Sequence, residues 1–188
     1  MDENRVNSAP DASSRRVLPP TVSNPELLVD GSDQTIRRLT LGFAVLGWLL
    51  VDIRSGFGKI IKVSPFQYVS LQAIARITPE EPWTVRSIAQ HFRVSKAHVS
   101  VELHRLIKKG YILSKTNPAD KRSKYLTISD KGLALLESMA STQQEINDRL
   151  YSQFDQKTLV EQCQRIERMI EDAERAREHL YKKLEGEA

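Results

Sequence analysis

The stretch from Thr84 to Ser129 constrains the fold more than any other, because its start and stop signals leave little choice of element. Thr84 can cap a short helix whose apolar side is Val85, Ile88, Ala89 and Phe92, and Ser95 can cap a second that reaches Lys109 and is ended by Gly110. A Ser or Thr oxygen at such a position accepts from the free N–H groups of the first helical turn. A glycine past the last turn takes the left-handed backbone that ends one. Val94 and Val99 stand where a hydrophobic staple would clamp the entry to the second helix. Two β-type runs follow, Tyr111–Thr116 and Lys124–Ser129, the second alternating with Leu126 and Ile128 on one face and Tyr125 and Thr127 on the other. The linker Asn117-Pro118-Ala119-Asp120-Lys121-Arg122-Ser123 has turn chemistry.

Charge is concentrated in the same place. The 188-residue chain carries a net +4, but Thr84 to Gly132 holds eleven Lys/Arg against three Asp/Glu, while the remainder is net acidic. A nucleic-acid partner needs such a patch, because neutralising phosphates releases their counterions and drives affinity. The plainer reading is a solvated basic face. Two short helices joined by a tight turn and followed by a basic hairpin form a winged helix-turn-helix. In that layout the second helix enters the major groove, and the hairpin reaches toward the minor groove.

At 100° per residue, Val99, Leu103, Leu106 and Ile107 form the inward face of the second helix. Ala97, His98, Val101, His104, Arg105 and Lys108 lie opposite, with Lys96 and Ser100 beside them. Ala97 and Val101 are apolar, four apart and outward, and side chains of that size contact thymine methyls in the major groove. The expected DNA contacts are Thr84, Arg86, Ser95, Lys96, Ala97, His98, Ser100, Val101 and Arg105 from the helices. Lys115, Lys121, Arg122 and Lys124 come from the hairpin. Asp120, two residues before Arg122, would orient its guanidinium, and arginine suits a narrow minor groove.

The flanking segments give the domain plan. Residues 1–30, with Pro10, Pro19, Pro20 and Pro25 among Ser, Asn and Asp, read as a disordered arm. Residues 33–57 read as a helix, followed by a loop with Gly56 and Gly58. Ser64-Pro65 then opens a helix that stops before Pro79, which makes 33–78 an N-terminal helical region and 83–130 the DNA-binding lobe. Residues 131–152 and 156–184 read as two further helices. Leu159, Cys163, Ile166, Ile170, Ala173, Leu180 and Leu184 form a heptad seam, interrupted by Arg177, that asks for a second copy of the chain. The fold class is therefore mainly α with a small β-wing, with terminal helices forming a dimerisation platform.

Several function classes drop out. The most apolar stretch, Leu39 to Val51, contains two glycines and falls short of the roughly 20 residues a bilayer needs. The N-terminus has no hydrophobic signal core, and the single cysteine, Cys163, forms no disulfide within the chain. The expected location is the cytoplasm, at the nucleoid. No nucleophile elbow, P-loop, dinucleotide fingerprint or zinc-hydrolase signature is present, so neither an enzyme nor a cofactor is expected. His91, His98, His104 and His179 lack zinc-like partners, so no metal is expected either.

The run Val85-Arg86-Ser87-Ile88-Ala89-Gln90-His91-Phe92-Arg93-Val94-Ser95, with Leu103-His104-Arg105-Leu106-Ile107-Lys108-Lys109-Gly110-Tyr111-Ile112, resembles the MarR family of bacterial regulators. The wing, Asp120-Lys121-Arg122-Ser123 and then Leu126-Thr127-Ile128-Ser129-Asp130-Lys131-Gly132, is similar to that family's wing pattern. The resemblance implies a homodimer on a pseudo-palindromic operator, with Arg122 as the wing arginine and Asp120 as its partner. It also implies a repressor released by a small aromatic or acidic ligand. Arg93 departs from it, standing in a turn where glycine is frequent. A ligand pocket would draw on Trp48, Asp52 and Arg54 of the first long helix and on Phe66, Gln67, Tyr68 and Ser70 of the next. The alternatives are a ligand-independent regulator, an architectural DNA binder and a winged helix used for protein contacts.

Overall fold

The computed structural model describes residues 18–76, 82–118 and 121–186. Among these, seven α-helices and one two-stranded antiparallel sheet follow in the order α1 (Gln34–Ile60), α2 (Pro65–Ala75), α3 (Val85–His91), α4 (Lys96–Lys108), β1 (Ile112–Thr116), β2 (Lys124–Ile128), α5 (Asp130–Glu137), α6 (Ala140–Leu150) and α7 (Gln156–Gly186). They pack as two units, one ending at Gly56 and the other beginning at Phe57.

In the first unit, the carboxylate of Asp33 gathers the segment that leads into α1. It accepts from Arg37 Nε at 3.0 Å, and from Thr21 N and Oγ1 at 2.6 and 2.8 Å. These donors, Arg37 foremost, hold the carboxyl well below the usual carboxylate range. Arg37 Nη2 also donates to Pro19 O at 2.7 Å, and Asn24 caps a single 3₁₀ turn over Pro25–Leu27. Residues 1–17 of the expected arm lie outside the described residues, and its remaining part carries local structure that its composition does not announce. Along α1, Leu41, Trp48, Leu49 and Val51 are each more than half exposed.

In the second unit, α1 ends at Ile60. The loop expected around Gly56 and Gly58 is instead the last turns of that helix, and the chain turns at Ile61–Ser64. A Cβ on Gly58 would stand 2.6 Å from Val63 O, so the glycine serves the close approach of this corner rather than a loop. The expected start of α2 is present: Ser64 Oγ accepts from Gln67 N at 3.1 Å and Gln67 Oε1 from Ser64 N at 3.2 Å, a full capping box before Pro65. α2 ends at Ala75, and residues 77–81 lie outside the described residues.

The core lies between α2, α3, α4 and the hairpin. Leu71, Ile74, Ile88, Ala89, Val99, Leu103, Leu106, Ile112 and Leu126 are buried together there. Each large aliphatic among them contributes roughly 1.5–3 kcal/mol by burial. The strands pair in one register, Ile112 with Ile128 through Thr116 with Lys124, which turns Leu126 into the core. Trp83 adds a bridge to the sheet, its carbonyl accepting from Leu126 N at 2.8 Å, while its indole N–H donates to Ala73 O at 3.0 Å.

Ser129 locks the wing to what precedes it. Its Oγ donates to Gly110 O at 2.6 Å and accepts from Gly132 N at 3.0 Å, capping α5. Lys131 Nζ reaches Lys109 O at 2.8 Å and lies over the Tyr111 ring. The single helix expected over 131–152 is two, α5 and α6, broken at Ser138–Met139. Ser138 Oγ donates to Leu135 O at 2.7 Å, and Met139 turns into the interior at 1% exposure. Asp155 and Thr158 then form a reciprocal cap on α7, with Thr158 N donating to Asp155 Oδ1 at 2.8 Å.

Candidate nucleic-acid interface

The local sequence sets both helices of the candidate reader. Thr84 Oγ1 accepts from Ser87 N at 3.0 Å, and Thr84 N donates to Ser87 Oγ at 2.8 Å. Thr84 is thus half-buried and occupied as a cap, and Arg86 is exposed on α3. Ser95 Oγ accepts from His98 N at 3.3 Å to start α4, and Gly110 at φ +76° ends it. Val99, Leu103 and Leu106 are buried and Ile107 half-buried, as the wheel predicts. Lys96, Ala97, His98, Ser100, Val101, His104, Arg105 and Lys108 are exposed along the same helix, Val101 at 52%. The His98 and Phe66 rings pack steeply against each other, with their centroids 4.7 Å apart.

The hairpin presents Lys115, Lys121, Arg122 and Lys124, all exposed. Asp120 lies outside the described residues. Buried Asn117 closes the tip: its N–H donates to Ser123 O at 3.1 Å and its Nδ2 to Ser123 Oγ at 2.9 Å. That closing residue was legible only as turn chemistry.

Two residues of the interface escape the wheel reading. Glu102 of α4 is buried at 6% exposure. Its two oxygens take Arg105 Nη1 at 2.5 Å and Ser64 Oγ at 2.7 Å. The available signal was its place three residues from Val99 and four from Leu106, beside the inward face, where a charge requires a partner. Arg93 does adopt the left-handed conformation of the turn between α3 and α4, at φ +53°. Its Nε and Nη2 clasp both Glu174 oxygens on α7 at 2.7 and 3.1 Å, and its Nη1 donates to His91 O at 2.8 Å. The guanidinium holds the Glu174 carboxyl below the usual carboxylate range, and Glu174 in turn raises Arg93.

The expected ligand residues fall in different settings. Trp48 is 73% exposed, and Asp52 and Arg54 are exposed, all in the first unit. In the second unit Phe66 packs on Phe92 as well as His98, Gln67 is spent on the Ser64 cap, and Tyr68 is buried against Phe57. Ser70 is fully buried, and its Oγ has no hydrogen-bond partner among the described residues. The seam residues Leu159, Cys163, Ile166, Ile170, Ala173, Leu180 and Leu184 are all exposed on α7. Among the described residues no helix is long and apolar enough to cross a membrane, and no cluster of His, Cys, Asp or Glu could hold a metal.

Residues 67–124 match the model of the MarR family. No curated protein matches the chain. Among solved structures, S. aureus MepR in its DNA-binding conformation is similar at 18% identity and a TM-score of 0.64, over 72% of this chain and 98% of that one. A MarR protein from Peptoclostridium difficile is similar at 21% identity and a TM-score of 0.60, over 85% and 94%. A MarR transcriptional regulator from Methanosarcina mazei matches at 18% identity and a TM-score of 0.59, over 73% and 96%. Over residues 67–124 the chain is therefore similar to the MarR family, and its fold is the winged helix-turn-helix of the solved MarR structures.

Proposed function

We propose that this protein is a sequence-specific DNA-binding transcriptional regulator, acting in the cytoplasm as a homodimer on a pseudo-palindromic operator. One observation carries the reading: α4 buries Val99, Leu103 and Leu106 in the lobe and leaves Lys96, Ala97, Ser100 and Val101 outward, beside a wing bearing Lys121, Arg122 and Lys124. Phosphate contacts from the cations position such a helix, and its small outward side chains read base edges. Ala97 and Val101 suit thymine methyls. A MepR from S. aureus has been solved as a DNA complex in a similar fold.

The finer reading is a repressor released by a small aromatic or acidic metabolite. Ser70, buried with a hydroxyl that has no partner among the described residues, supports a polar ligand contact, and such a ligand acts only through its different affinity for the two states of the dimer. The test is selection of bound fragments from random duplexes. The expected product is an inverted repeat with half-sites about 10 bp apart and thymine opposite Ala97 or Val101. Arg122→Ala should weaken every duplex about equally and flatten the salt dependence. Recovery of no consensus would overturn sequence-specific regulation in favour of architectural binding.

A further inference from the structure

A carboxylate buried inside a DNA-reading helix is costly twice over: it gives up hydration, and it repels the phosphates the helix must approach. Glu102 is such a group, 6% exposed, with both oxygens committed. Ser64 Oγ, the cap of α2, fixes Oε2 at 2.7 Å, and Oε1 faces Arg105 Nη1 at 2.5 Å. Arg105 is the only ion-pair partner of Glu102 among the described residues. An apolar side chain would hold α4 against α2 at least as well, so packing does not explain the acid.

Arg105 stands four residues after Val101 and seven after His98, on the exposed face of α4, with its side chain 60% exposed. Only Nη1 is engaged, which leaves the Nε–Nη2 edge open among the described residues. That edge offers two parallel N–H donors, the geometry that grips paired acceptors: two phosphate oxygens, or O6 and N7 of a guanine. A free arginine loses substantial rotamer freedom when it binds; one already pinned by a buried, doubly held carboxylate loses less.

We propose that Glu102 is a positioning residue of the DNA interface, holding Arg105 in the orientation that presents its open edge to paired acceptors on the duplex. The inference rests on the DNA-binding reading above. It makes Ser64–Glu102–Arg105 a relay that fixes a reading side chain from the corner preceding α2, and it gives the buried acid a specificity role.

Electrostatics alone predicts the opposite sign for one variant, which makes the test sharp. Glu102→Gln removes a negative charge from the interface and keeps the side chain's shape. Charge alone would tighten binding to every duplex; loss of positioning weakens the selected duplex. The experiment measures binding of the full chain, normalised to active protein by stoichiometric titration, to a duplex recovered by selection and to a scrambled one. The variants are E102Q, R105A and E102Q/R105A, each with its thermal midpoint.

The expected result is a loss of about fivefold for E102Q and about tenfold for R105A on the selected duplex, with no further loss in the double variant. The scrambled duplex should bind E102Q as well as or better than the wild type where the acceptors are on guanine, and should lose affinity in parallel with the selected duplex where they are phosphate oxygens. For Arg105, a uniform loss with a shallower salt slope identifies phosphate, and a loss confined to one G·C pair identifies guanine. Equal tightening on both duplexes by E102Q, or additive losses in the double variant, would overturn the proposal while leaving the DNA-binding reading intact. A wild-type chain that binds neither duplex would sink that reading first.

Discussion

At position 93 a side chain occupies backbone that favours glycine. The turn between α3 and α4 needs φ of +53°, which crowds a Cβ against its own carbonyl. Arginine is retained there with three donors in use, two on Glu174 and one on His91 O. Strain at one residue is thus offset by a contact 81 positions away in sequence. Both partners are more than a third exposed, so salt screens their pairing. Two substitutions separate the terms. Arg93→Ala removes the pair and keeps the strained backbone; Arg93→Gly removes the pair and relieves it. The glycine variant should be the more stable of the two by about 1 kcal/mol in urea unfolding, the difference expected for a Cβ in the left-handed region. Equal stabilities would mean that the turn relaxes when the Arg93 side chain is lost.

At the scale of elements, the legible parts are those that carry their own punctuation. Ser64, Thr84 and Ser95 each cap the helix that their spacing announces, because a cap acts within three residues of itself. The break between α5 and α6 was not legible, because it falls at Ser138–Met139 with neither proline nor glycine and is set by where Met139 packs. Glu102 was missed for the same reason at longer range: its partner Ser64 lies 38 residues away. The end of the wing shows the converse, a motif residue whose reason appears only in three dimensions. A Cβ on Gly132 would run into Tyr111 O and stand 2.9 Å from Ile128 Cγ1, at the point where Ser129 ties α5 to the end of α4. Gly132→Ala should therefore force α5 off the base of the hairpin and cost about 1–3 kcal/mol by denaturant unfolding. A variant as stable as the wild type would show that the junction has slack.

At the scale of the molecule, α7 is the element whose chemistry and surroundings disagree most. It is 31 residues long and has no buried residue. Ile166, Met169, Ile170, Leu180, Tyr181 and Leu184 stay exposed along it, although seam positions at spacings of three and four are the pattern of a helix with a partner. A second copy of the chain seated on this stripe would bury it, and it would give the operator the two-fold symmetry that paired half-sites require. The decisive variant carries a charge into the stripe at two adjacent seam positions, Ile166→Asp with Ile170→Asp. Both sites are exposed in the single chain, so its own fold loses little, whereas an association that buried two unpaired carboxylates would weaken at least about a hundredfold. Sedimentation equilibrium should show the wild type as a dimer and the variant as a monomer with unchanged helical circular dichroism. Because a monomer spans one half-site only, its affinity for a selected inverted repeat should fall to that of an isolated half-site. A variant that stays dimeric would place the interface elsewhere, and the exposed Leu41, Trp48 and Leu49 of α1 would then be the next surface to charge.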